Sequence, residues 1–273
     1  MKKFIETLKN CWKIEDLRQR LLITILFTAI YRFGSFVVLP GINPTLLEKL
    51  QAQTKGGLMS LLDMFSGGAF SHASIFALGI MPYISASIVL QILAVAVPYF
   101  QKMQREGESG HKKINWYTRV LTVVILLFQA PSYLLNLKVQ AGGALASGID
   151  WTTFMIPATI ILAAGSMFIL WLGERITDKG VGNGISLIIM IGIIARLPQA
   201  LIQEFSNRVS AAIGGGIVML IIEIIVLYAV VCAALLLVQG TRKIPVQYAK
   251  RVVGNKQYGG ARQYIPLKLF AAN

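Results

Sequence analysis

The chain has 273 residues, of which 55% are hydrophobic and only 14% charged, and its mean hydropathy is +0.65. Soluble domains carry about 25% charged residues, so this composition excludes an ordinary globular domain and indicates a polytopic membrane protein. The net charge of +14 would suggest nucleic acid in a soluble chain. Here the basic residues fall in short loops between apolar runs, so they read first as topology signals.

In chain order, residues 1–20 are basic and carry Phe4, Ile5, Leu8 and Trp12, which fits an amphipathic helix on the membrane surface. The apolar run starts only near Leu21 and lacks a small-residue cleavage site, unlike a signal peptide. A first span is predicted at residues 21–39, stopped by Pro40. Residues 58–65 are apolar but too short to cross, and read as a stub dipping back into the membrane.

A second span is predicted from Phe65 to about Val97. No Lys, Arg, Asp or Glu occurs between Asp63 and Lys102, a stretch long enough to cross a bilayer. It opens on Gly67 and Gly68, and Gly79 with Pro82 predicts a break or kink. Ile80, Ile84 and Ile88 recur every fourth residue and share a helical face. Such a stripe serves packing or lipid contact as readily as a special role.

Further spans are predicted at 120–135, 153–172, 185–201 and 213–239. A basic loop precedes the third, and the polar turn GERITDKGVGNG separates the fourth from the fifth. Pro198 interrupts the fifth late, and residues 203–210 form a short outer loop. In the fifth span Ile185 and Ile189 again lie four apart after a glycine-rich entry. Two helices that each bring isoleucines to one axis make a narrow apolar constriction, which resists water and ions by dewetting. It also yields to an arbitrary extended chain, because it demands no hydrogen-bond geometry. Plain interhelical packing is the competing account.

The tail, residues 240–273, contains the β-prone strings KIPVQYAKRVV and QYIPLKL around glycine-bearing turns, and reads as a hairpin-like finger. Its basic residues suit an acidic partner such as ribosomal RNA, anionic lipid headgroups, or simple retention on the inner side. With six spans, one side holds twenty Lys and Arg and the other holds Lys49, Lys55, Lys138 and Arg208, which puts both termini in the cytoplasm. Residues 267–273 resemble the approach to another span, so the chain reads as part of a longer protein.

The sequence carries no enzyme signature, and neither a metal nor a cofactor is expected. Cys11 and Cys232 are far apart, as are His72 and His111, and neither pair has ligand spacing. GVGNG at 180–184 precedes a helix but lacks the lysine and the preceding strand of a phosphate loop, so it reads as a tight turn. Charges in spans, each costing about 2.5–3.5 kcal/mol at the bilayer centre, are few. Arg32 and Glu223 are expected to face protein or water, and Arg196, close to the outer end of span five, can snorkel. A small-molecule secondary transporter is the alternative reading, but it calls for a polar midplane site that these bare spans do not supply.

The stretches MFSGGAFSHASIFALGIMPYISASIVLQIL, RFGSFVVLPGI, EGESGHKKI, WLGERITDKGVGNGIS and RKIPVQYAKR closely resemble the SecY family of protein-export channel subunits. The resemblance implies an all-α polytopic bundle, the N-terminal half of a ten-span clam-shell plus span six. Residues 1–20 would be a cytoplasmic segment, 21–203 spans one to five, 204–239 an outer loop and span six, and 240–273 a cytoplasmic loop before a seventh span. It further implies that Ile80, Ile84, Ile185 and Ile189 belong to a pore ring. A plug at about residues 57–70 would include Leu61, Met64, Phe65, Gly67 and Gly68. Arg242, Lys243, Lys250 and Arg251 would dock the translating ribosome and the SecA motor ATPase. The implied setting is the bacterial inner membrane, with SecE and SecG subunits, signal sequences, unfolded preproteins and the lipid bilayer as partners.

Overall fold

Glycine and proline decide where the helices of this chain start and stop. The computed structural model describes residues 12–43, 63–140, 150–209, 216–247, 251–253, 256–258 and 262–268. Two compact units divide it, Met1–Pro198 and Gln199–Asn273.

In the first unit, α1 (Glu15–Gly34) begins within the expected surface segment and runs directly into the expected first span. It ends at Gly34, short of Pro40, because the next residues leave the helix to pair with a distant segment. Val38 bridges Ser74, Leu39 N–H donates to the Ala73 carbonyl at 2.9 Å, and Ile75 N–H donates to the Val37 carbonyl at 2.9 Å.

The second predicted span is not a single helix. After a short helical turn at 63–65, residues 66–80 form successive turns, and α2 (Met81–Ala96) begins only after Gly79. The reason is backbone conformation: Gly67, Gly68, Gly79 and Ala73 have φ of +65°, +95°, +54° and +45°, which a right-handed helix cannot contain. Pro82 then sits in the first turn of α2, where its missing N–H is harmless. Val97 is extended and α3 (Pro98–Arg105) leaves at 98° to α2.

Most of the predicted basic loop is helical. The helix α4 (Glu108–Gln140) starts well before the apolar run, and Lys112 pairs with Glu108 one turn earlier at 3.1 Å. α5 (Trp151–Lys179) likewise runs through most of the expected polar turn, which is confined to residues 180–183. Asn183 caps α6 (Gly184–Ile194), its Oδ1 accepting from the amides of Ile185 and Ser186. The Val181 amide donates to Thr24 Oγ1 and the Gly184 amide to Thr177 Oγ1, so three side chains tie this turn down.

α2 packs on α4, α4 on α5, and α5 on α1 and α6. One apolar cluster centres on Leu126, Leu134 and Leu162, and a second on Tyr31, Ile169, Leu172 and Ile188. Bare glycine surfaces set the helix spacing. A Cβ on Gly165 would collide with the Ile75 carbonyl, and one on Gly184 with the Gly173 carbonyl.

In the second unit, residues 203–209, expected as a loop, belong to α7 (Leu197–Val209). α8 (Gly216–Gln239) follows, and its charged residue is matched: Glu223 accepts from Arg208 of α7, which also bonds Glu204 at 2.7 Å. The β-prone tail pairs as its alternation predicts. β1 (Thr241–Gln247) runs antiparallel to β4 (Arg262–Lys268), and β2 (Arg251–Val253) to β3 (Lys256–Tyr258).

Among the described residues, four helical stretches are long and apolar enough to cross a membrane; α1, over the expected first span, is not one of them, and the α2–α3 pair adds a fifth only if its two bent arms are one span. Gly165→Ala is expected to lose about 1–3 kcal/mol through overpacking. Thermal unfolding in detergent checks it, and an unchanged midpoint would contradict this packing.

Candidate functional site

The site is built where the turns of residues 63–80 meet α1, α4, α5 and α6. A non-helical backbone at this depth must find hydrogen-bond partners within the protein. Ser66 Oγ accepts from Phe70 N–H at 3.1 Å, and Ser74 Oγ accepts from Phe76 N–H at 3.1 Å. Asp63 Oδ1 accepts from Ser71 N–H at 2.9 Å. From outside the segment, Tyr133 of α4 donates its hydroxyl to the Phe70 carbonyl at 2.8 Å, with the two rings edge to face at 4.8 Å.

Two arginines reach the same segment from different elements. Arg32 of α1 donates to the Gly67 carbonyl at 2.8 Å and lies over the Phe36 ring. Arg196, just beyond α6, pairs with Asp63 and donates to Ser71 Oγ at 3.2 Å. Arg32 therefore faces protein, as expected, and Arg196 reaches Asp63 while its side chain stays partly exposed.

The glycine pair makes this contact possible. A Cβ on Gly67 would stand 3.0 Å from the Gly192 backbone, so the segment lies directly on α6 at a glycine–glycine contact. A Cβ on Gly68 would stand 2.7 Å from the Arg196 guanidinium and displace it. Positive φ at both positions separately favours glycine.

Ile80 is buried, while Ile84, Ile185 and Ile189 are partly buried, and all four belong to one apolar cluster. Ile80 is the N-cap of α2 rather than a residue of its body. Ile88, on the same predicted stripe, is half-exposed and lies outside that cluster. Ile188 is more deeply buried than its neighbours at 185 and 189 and sits at the centre. The spacing of four passed over it, although it is one turn from Ile185. A cleft of about 30 Å³ lies between the isoleucines and the turns, lined by Phe65, Ser66 and Phe70 on one side and by Ile80, Ile84, Ile188 and Ile189 on the other. That is room for a water molecule or two, and its walls are mostly apolar.

Of the other predicted site residues, Met64 and Phe65 are two-fifths exposed, and Gly67 and Gly68 are buried. Leu61 and Lys250 lie outside the described residues. Arg242 and Lys243 are exposed on β1, and the Arg251 backbone pairs with Tyr258. Sequence reading missed Asp63, Tyr133 and Ser71. The signal for Asp63 was available: it is the last acid before a long uncharged stretch.

A glycine-rich segment of turns lies against isoleucines near two helices, inside a bundle with several helices long and apolar enough to cross a bilayer, which defines a polytopic α-helical membrane protein. A sequence profile of the SecY family matches residues 74–273. The protein translocase subunit SecY of Buchnera aphidicola subsp. Schizaphis graminum is 40% identical, over 98% of this chain and 61% of its own length. That of Thermotoga maritima is 40% identical over 97% and 61%, and that of Escherichia coli K12 41% over 93% and 57%. Another Buchnera SecY, from Acyrthosiphon kondoi, is 41% identical and covered over 71% of its length. The chain belongs to the SecY family. It spans about three-fifths of the length of most of these curated relatives.

Among solved structures, a protein-conducting channel superposes with TM-score 0.61 at 18% identity, covering 92% of this chain and 52% of that one. A SecY structure concerned with a plug domain that stabilises the closed channel and maintains a membrane seal gives 0.57 at 18% identity, with the same coverage. At this identity they establish the fold.

Tyr133→Phe keeps the ring but removes one of two donors to the buried Phe70 carbonyl, which retains the Ala73 amide at 3.2 Å, at a local cost of about 0.5–1.5 kcal/mol. Hydrogen exchange of the amides at 66–76 should accelerate, and unchanged protection would deny Tyr133 this role.

Proposed function

We propose that this chain forms the central part of a protein translocase, passing unfolded preproteins across the bacterial inner membrane and releasing membrane segments into it. The observation that carries this is the meeting of Ile80, Ile84, Ile185 and Ile189 in one apolar cluster with the re-entrant turns packed against it. Branched apolar side chains close around a narrow path, exclude water when empty, and deform around any sequence when filled. The four form part of a pore ring, completed by spans of the remaining protein.

Residues 57–70, including Leu61, Met64, Phe65, Gly67 and Gly68, act as the plug. Its turns fill the outer mouth at rest and swing aside when a chain enters, a two-state equilibrium biased by signal sequences. Its described residues, from 63 on, are held by hydrogen bonds, the Asp63–Arg196 ion pair and a glycine–glycine contact, which suits a part that must leave and return.

The chain does no chemistry of its own. Energy comes from the SecA motor ATPase or from the translating ribosome, both docking on the basic finger through Arg242, Lys243, Lys250 and Arg251. SecE and SecG subunits complete the assembly in the lipid bilayer. The excess of Lys and Arg on one side sets both ends of this chain in the cytoplasm, with six spans forming the first half of a ten-span clam-shell plus span six.

Ile80→Ser or Ile185→Ser in the full-length protein, reconstituted in vesicles, should raise resting ion conductance several-fold; unaltered conductance would remove these residues from the seal. Arg242→Glu with Lys243→Glu should weaken SecA or ribosome affinity about tenfold at low salt, with the deficit shrinking as salt screens it. Equal affinity would take the finger out of docking.

A further inference from the structure

Asp63 poses a question that packing alone does not answer. Its carboxylate is only 6% exposed, inside a stretch otherwise free of charge. A buried carboxylate is tolerated when it is paired and hydrogen-bonded. Both conditions hold: Oδ1 takes the Ser71 amide at 2.9 Å, and Oδ2 meets Arg196 Nη1. The same guanidinium donates to Ser71 Oγ, which in turn donates to the Gly68 carbonyl at 3.1 Å. Arg196 thus grips both ends of the turn from 63 to 71.

The two partners sit on parts with different duties. Asp63 belongs to the re-entrant segment. Arg196 follows the last turn of α6, its amide bonded to the Ile193 carbonyl, on the helix that presents Ile185, Ile188 and Ile189. Arg196 remains 38% exposed, so it is not enclosed by the protein as Asp63 is. Arg32 holds the neighbouring Gly67 carbonyl from α1, by a bond to a neutral acceptor. Of the two arginine contacts, the one to α6 is an ion pair and the one to α1 is not.

We propose that Asp63 and Arg196 form a releasable electrostatic latch that couples the seat of the plug to the position of α6. An outward movement of α6 that widens the isoleucine collar draws Arg196 from Asp63, so collar and plug open together. Loss of the pair frees the plug without touching the collar. This latch rests on the plug and collar reading given above.

The test is a double-mutant cycle in the full-length protein, assembled with its membrane partners in vesicles, reading resting ion conductance beside Ile80→Ser. Asp63→Asn removes the charge but keeps the acceptor for Ser71, and Arg196→Gln removes the other charge. Each should raise conductance about five- to tenfold, as for a partly exposed pair with one buried member. The double variant should leak no more than the leakier single one, because both act on one interaction. Arg196→Lys should keep most of the seal. Effects that multiply in the double variant would overturn the latch. So would silent single variants when Ile80→Ser leaks, while leaving the collar standing. Silence of all variants, Ile80→Ser included, would overturn the collar and the latch with it.

Discussion

A backbone that is not helical, set deep in an apolar bundle, has no water to satisfy its amides and carbonyls. Each group left unpaired costs several kcal/mol. Everything about residues 63–80 follows from that constraint. Serines at 66, 71 and 74 fold back on their own backbone, Asp63 caps Ser71, and Tyr133 and Arg32 arrive from neighbouring helices to take carbonyls. The strand-like bridge from Val38 to Ser74 takes up two more amides. The segment is therefore polar within and apolar without, and it can occupy the bundle without being a helix.

Close approach is the second condition, and glycine supplies it. Gly67 meets Gly192, Gly165 lies under the Ile75 carbonyl, and Gly184 lies against Gly173. Without side chains at these points, α6 and the turns come close enough for isoleucines of α2 and α6 to join one cluster. Small residues hold membrane helices together where no hydrophobic drive between them exists. Here the same property leaves apolar ends gathered around a narrow cleft.

The bundle was legible because its cause is local. Apolar run length with glycine and proline positions locates most of the long helices, and the alternation in the tail anticipates its β pairing. Spacing brought out Ile80, Ile84 and Ile88 in the second apolar run and Ile185 with Ile189 in the fifth. What hydropathy could not show was conformation inside an apolar stretch. Residues 66–80 are hydrophobic enough for a helix, yet positive φ at Gly67, Gly68, Ala73 and Gly79 makes turns of them. Long-range partners were also invisible. Arg196 looked like a residue at a helix end that can snorkel, and only the fold brings Asp63 to it across more than a hundred residues. Glu223, an isolated acid in the sixth apolar run, likewise finds Arg208 only once α7 is seen to be a helix.

The central claim is that apolar side chains of α2 and α6 surround an unfolded chain in transit. Photo-crosslinking tests it most directly, with a reactive residue placed at 84 or 189 in the full-length protein and, for comparison, at the exposed position 92. A secretory chain stalled midway should be captured from 84 and 189, and position 92 should capture lipid. Equal capture of the chain from all three, or of lipid from 84 and 189, would contradict the account.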